Sequence, residues 1–117
     1  MAKKRMLSIQ LVESDEFCKF PASTQAIYFH LNMNADDDGV VDNWQGVIKS
    51  INSKRSFLDP LIEKGYIITL ESGALLIADW FESNYIRSDR YTSSRHAREL
   101  DNFFLTPNGR YCKKRAI

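Results

Sequence analysis

Cysteine is nearly missing from this sequence. Cys18 and Cys112 stand alone and far apart, outside any metal-ligand or redox spacing, which argues for reduced thiols and against a disulfide or zinc framework. Long apolar runs are missing too: no segment reaches the roughly 20 apolar residues of a membrane-spanning helix. The opening Met1-Ala2-Lys3-Lys4-Arg5 is basic, without the apolar run of a signal peptide behind it. The expectation is a cytoplasmic protein with no membrane partner. With only 3 prolines and 5 glycines, the chain has no linker rich in either, and it carries no internal repeat or low-complexity tract. Its 117 residues, 44% of them hydrophobic, suffice for one core. The chain therefore reads as a single domain over residues 1–117, with a basic N-terminal arm (residues 1–5) and a basic C-terminal tail (residues 110–117).

Catalytic constellations are equally scarce. No serine, cysteine or lysine stands in a recognisable nucleophile context, and the paired carboxylates read as solvent-like clusters, so no enzyme is expected. Asp36-Asp37-Asp38-Gly39 invites a metal reading, because Asn34, Asp36, Asp38 and Gly39 match the first half of a calcium loop. Gln45 stands at the twelfth position, where the bidentate glutamate belongs. The better reading is a turn into a short Val40-Val41 strand, with Gly39 in the left-handed conformation. No metal and no cofactor are expected. His30, inside an apolar helix, reads as a hydrogen-bonded core residue without a functional role.

The net charge of +1 hides an uneven layout. Residues 11–48 carry seven acids (Glu13, Asp15, Glu16, Asp36, Asp37, Asp38, Asp42) against Lys19, a balance of −6. Residues 86–117 carry eight bases against three acids, a balance of +5. Such a chain would hold a polyanion at its basic end and repel it from the middle, although a solvated basic tail has the same composition.

Met6-Leu7-Ser8-Ile9-Gln10-Leu11-Val12 mixes apolar and polar residues as a half-buried strand does, and Ser14-Asp15-Glu16 supplies cap chemistry for a short turn through Phe17 and Phe20, ended by Pro21. From Ser23 to about Ala35 the apolar residues cover most of a helix circumference, predicting a central helix packed on several sides. Asn43 can cap a helix in which Trp44, Val47, Ile48 and Ile51 form one buried stripe. After the polar break at residues 52–56, Phe57, Leu58, Leu61 and Ile62 repeat that spacing until Lys64-Gly65. With Ser56 as N-cap and Asp59 at its third position, Pro60 falls in the first turn, where it is tolerated, and Lys54 and Arg55 sit in the connecting turn. Residues 66–70 and 74–78 form a hairpin around Glu71-Ser72-Gly73. Residues 94–104 read as a final helix with Ala97, Leu100, Phe103 and Phe104 on one side, closing the core or forming the seam of a homodimer.

The predicted class is α+β, and the order helix, helix, turn, helix, hairpin, with a strand at the front, is the plan of a winged helix-turn-helix. In that plan Lys49, Ser53, Lys54, Arg55 and Ser56 face DNA, with lysine and arginine on phosphates and Arg55 long enough for a guanine edge. Ser72 and Gly73 at the wing tip can approach backbone phosphate, with Glu71 beside them counting against a strong grip. The strip Asn84-Tyr85-Ile86-Arg87-Ser88-Asp89-Arg90-Tyr91 interleaves arginine with tyrosine, which suits nucleic acid or a protein interface. Because it follows the wing, Arg87, Arg90 and Tyr91 read as flanking contacts or as a dimer and core lock. Arg95 completes the candidate set.

The blocks Arg5-Met6-Leu7-Ser8, Ser14-Asp15, residues 23–31, residues 35–39, Leu61-Ile62-Glu63-Lys64-Gly65-Tyr66, Asp79-Trp80 and the octet at residues 84–91 occur in an order that resembles a known family. That family is the N-terminal winged-helix domain of phage replisome organisers, relatives of the bacterial DnaD primosome proteins. The resemblance spans about residues 5–111. It implies a phage DNA-replication protein in a bacterial host cell, binding double-stranded DNA near an origin and helping to recruit the helicase machinery. Two alternatives accompany it. One is a protein-binding module, acting as a replisome scaffold or as an inhibitor of a host nucleic-acid machine, with replication or host proteins as partners. The other is a phage transcriptional regulator.

Overall fold

Ser8 and Ser14 shape the start of the chain in the computed structural model, which describes residues 6–84 and 91–114. Each hydroxyl accepts a hydrogen bond from the backbone N–H three residues on, Leu11 at 3.4 Å and Phe17 at 3.2 Å. They cap two one-turn helices, α1 (Ile9–Val12) and α2 (Asp15–Cys18). The strand expected over residues 6–12 is thereby corrected: a local side-chain cap satisfies N–H groups that a strand must pair with a neighbour. The cap chemistry expected at Ser14 is present.

The long helix α3 (Ala22–Met33) runs through the interior. Ile27 and Leu31 are fully buried, and Tyr28 meets the buried Phe17 of α2 edge to face at 5.4 Å. Thr24 Oγ1 donates to the Phe57 carbonyl at 2.7 Å, tying α3 to the segment after the polar break. His30 is exposed, contrary to its expected core position, because Ile27, Tyr28 and Leu31 fill the inward face.

Three strands, β1 (Val40–Val41), β2 (Ile67–Thr69) and β3 (Leu75–Ile77), form an antiparallel sheet in the order β1-β3-β2. Leu75 lies opposite Val41 on one side and Thr69 on the other, and every residue of the central strand is buried. Gly39 enters β1 at φ 88, and a Cβ there would stand 2.6 Å from Cγ of the buried Trp80. Both facts require glycine.

Between β1 and β2 lie α4 (Trp44–Ser50), a 3₁₀ turn (Arg55–Phe57) and α5 (Asp59–Glu63). The stripe of α4 is as expected, with Trp44, Val47 and Ile48 buried and Ile51 partly so. Asn43 holds the cap position without making a side-chain cap bond. Ser56 is not a cap: it lies within the 3₁₀ turn, and Leu58 stands at the start of α5 with Pro60 in the first turn. Arg55 consequently belongs to the 3₁₀ turn and not to a connecting loop.

The helix α6 (Trp80–Ser83) follows β3. The final helix expected over residues 94–104 is one turn only, α7 (Ala97–Leu100), after which β4 (Phe103–Leu105) pairs antiparallel with β5 (Tyr111–Lys113). Cross-strand pairing and the edge-to-face contact of Phe103 with Tyr111, 6.2 Å apart, outweigh helical propensity there. Asn108-Gly109 at the turn is the local signal for this hairpin. Gly109, at φ 87, lies so close to the backbone of Phe81 and Glu82 that a Cβ would come within 2.6 Å. The tail expected from residue 110 is also corrected, since Tyr111 is buried and its N–H donates to the Ala78 carbonyl at 2.8 Å. The described residues make an α+β fold of seven α-helices and two small antiparallel sheets.

Candidate nucleic-acid interface

Three of the predicted contact residues meet in one open groove. Lys49, Ser53 and Arg55 line it together with Trp44, Gln45 and Ile48, around a volume of 340 Å³. The α4 stripe turns Trp44 and Ile48 inward, so Gln45 and Lys49, one position further along the helix, fall on its rim. Arg55 is delivered by the 3₁₀ turn, and its guanidinium carbon lies 5.2 Å from the centroid of the Trp44 ring, a cation–π contact. The Ser53 hydroxyl is buried without a hydrogen-bond partner. Lys54 and Ser56 are exposed beside Arg55. Two cations and no acid line this groove among the described residues.

Trp44 also reaches the hairpin. Its Nε1 donates to the Gly73 carbonyl at 2.8 Å, so one indole carries Arg55 on its face and the hairpin tip on its edge. Helical periodicity identifies Trp44 as part of a buried stripe and carries no sign of either contact.

Ser72 and Gly73 are not presented as free phosphate ligands. The Ser72 N–H donates to Glu99 Oε2 at 3.2 Å, and Glu99 Oε1 is 3.0 Å from His96 Nδ1, whose other nitrogen meets Asp42 Oδ1 at 2.5 Å. Burial pulls the His96 pKa down, but the Asp42 and Glu99 carboxylates outweigh it and the net shift is upward. Hydrogen bonding from Ser72 holds Glu99 below the usual carboxylate range against the opposing effect of burial, with His96 adding to the depression. The hairpin tip, the approach to α4 and the α7 turn are thus joined by one polar clamp. Arg95, next to it in sequence, is exposed.

The acidic triplet is structural. Asp36 Oδ1 accepts from the N–H groups of Asp38 at 2.9 Å and Val40 at 3.0 Å, forming the turn into β1. Asp37 and Asp38 are buried and not the solvent-like cluster expected. Asp37 Oδ2 accepts from the Thr92 N–H at 2.9 Å, and Asp38 Oδ2 accepts from the Ser94 N–H at 2.8 Å and from the Tyr91 hydroxyl. Tyr91 thus makes an internal contact with the acidic turn, and burial and Asp38 together raise its pKa. Asn84 opens the octet from a buried position, accepting at Oδ1 from the Met6 N–H at 2.9 Å. Arg87 and Arg90, with the arm at residues 1–5 and residues 115–117, lie outside the described residues.

Arg110 is likewise internal to the fold. Its Nη1 donates to both Asp79 carboxylate oxygens at 2.9 Å, and its Nη2 donates to the Gly65 carbonyl at 2.9 Å.

Comparison with family models, with curated proteins and with solved structures found no match to this chain.

Proposed function

We propose that the chain is a winged helix-turn-helix module that binds double-stranded DNA, with Lys49, Lys54 and Arg55 as its principal phosphate contacts. The order α3-β1-α4-α5-β2-β3, with β1 and β2 on either side of β3, supports the winged arrangement. The observation that carries the reading is the groove at Trp44: Lys49, Ser53 and Arg55, three of the residues singled out for DNA contact, line one concave surface with no acid in its lining. The burial of Asp37 and Asp38 strengthens it, because two charges of the acidic middle are engaged by backbone and tyrosine donors and do not face a polyanion. The replication role, as a phage replisome-organiser-like protein, rests on the sequence resemblance.

Replacing Lys54 and Arg55 together by alanine is expected to weaken duplex binding and to make the plot of log affinity against log salt shallower by roughly 1.8, about 0.9 for each phosphate that is no longer neutralised. A fluorescence-anisotropy titration against DNA flanking the protein's own gene measures both quantities. Unchanged affinity and slope would show that duplex DNA does not bind through this surface.

A second reading is a protein-binding module serving as a replisome scaffold or host inhibitor. The exposed acids Asp59 and Glu63 on α5, the helix that a winged module would lay on DNA, favour it, as do the half-exposed Phe104 and Leu105 on β4. Pull-down from host lysate with and without nuclease separates the two, since partners lost on nuclease treatment count against the scaffold.

A further inference from the structure

We infer that the Arg55 guanidinium, laid over the Trp44 ring, is a seat for one unpaired base of a single-stranded nucleic acid. This rests on the reading of the Trp44 groove as a nucleic-acid contact and goes beyond it by naming the form of strand it takes.

The Arg55 guanidinium carbon lies over the Trp44 ring, 5.2 Å from its centroid. Trp44 is only 9% exposed and Arg55 is exposed, so of the pair it is the arginine that an incoming base would meet. Unstacked bases are held on such planes, aromatic or guanidinium, in single-strand recognition, and every base has the π face required. The seat has walls as well. Ile48 gives it an apolar side, the Gln45 carboxamide offers a donor and an acceptor to a base edge, and Lys49 stands at the rim for a flanking phosphate. The groove's 340 Å³ falls within the ~300–1,000 Å³ of clefts that take small molecules. The buried Ser53 hydroxyl is a further polar group in the same lining.

A closed duplex cannot fill this seat, because its bases are stacked inward and only phosphates reach such a groove. The neighbouring helix adds no cation to the seat. α5 is five residues long, holds Asp59 and Pro60 in its first turn, and exposes Asp59 and Glu63, which repel phosphate. The cations of the site lie on α4 and the 3₁₀ turn, and they converge on the groove.

The test uses the full chain, a single-stranded 12-mer of thymidine, the 12-mer of uridine, and a 12-base-pair duplex, in Trp-fluorescence and anisotropy titrations at one salt concentration. Arg55→Lys retains the charge and removes the plane. It is expected to weaken both single strands by roughly tenfold, within the range of one stacked base, and to weaken the duplex by less, because the charge that meets its phosphate is retained. Wild-type fluorescence, reporting on Trp44 because Trp80, the other tryptophan, is fully buried, is expected to change more on adding single strand than on adding duplex. Gln45→Ala, at an exposed position of α4, is expected to weaken the single strands alone. Equal losses on single strand and duplex would make Arg55 a phosphate contact only and overturn the inference, as would an unaltered single-strand affinity. If neither kind of probe binds the wild-type chain, the nucleic-acid reading itself falls.

Discussion

The Tyr91 hydroxyl donates to both carboxylate oxygens of Asp38, at 2.7 and 2.8 Å, across 53 positions of sequence. With the Ser94 N–H on Oδ2, the buried Asp38 receives hydrogen bonds from a hydroxyl and a backbone amide. The two most conspicuous motifs of the sequence, the acidic triplet and the arginine–tyrosine strip, therefore meet at one point, and the meeting is structural.

Asp38→Ala is expected to lower unfolding stability by about 2–3 kcal/mol, because it strands the buried Ser94 N–H as well as the tyrosine hydroxyl. Tyr91→Phe should cost about 1 kcal/mol, since it removes one donor and leaves the carboxylate its amide partner. Urea unfolding of the two variants measures both losses. Identical midpoints for wild type and Asp38→Ala would show that this carboxylate is dispensable to the fold.

The His96 clamp makes stability depend on pH. Its folded-state pKa lies above the ordinary 6.5, so the stabilisation is fully present below about 6.5 and is lost as pH rises through the higher folded value. Glu99 behaves oppositely. Its folded pKa lies below 4.5, so its contribution is present above 4.5 and is lost as pH falls through the lower folded value. The clamp is expected to be strongest between those limits. Thermal unfolding from pH 4 to pH 9 should show His96→Gln losing the alkaline-side decline that wild type displays, and parallel profiles for the two proteins would contradict the clamp.

Arg110→Ala is expected to destabilise the protein by about 1–3 kcal/mol, since the buried Asp79 carboxylate loses its cation while the arginine it replaces is 39% exposed. Hydrogen exchange should rise first at the amides of β4 and β5, whose docking on Ala78 and Gly65 runs through Tyr111 and Arg110. Uniform loss of protection across all strands would mean that the C-terminal hairpin has no separate stability.

Local physics was legible in the residues themselves. The cap at Ser14, the α4 stripe of Trp44, Val47 and Ile48, the left-handed Gly39 and the hairpin around Glu71-Ser72-Gly73 each depend on groups within a few positions of one another, and each stands as read. The proximity of Lys49, Ser53 and Arg55 belongs with them, because one short helix and one tight turn bring them together. Only tertiary closure decided where the long-range polar partners fell. Asp38 with Tyr91, Asp79 with Arg110, and the Trp44 indole with Gly73 are 53, 31 and 29 positions apart. No periodicity encodes such pairs. A buried donor or acceptor must find a partner wherever the packed chain supplies one. The same reason turned residues 103–105 from the end of an expected helix into a strand, once Tyr111 offered Phe103 a ring and residues 111–113 offered a ladder to pair with.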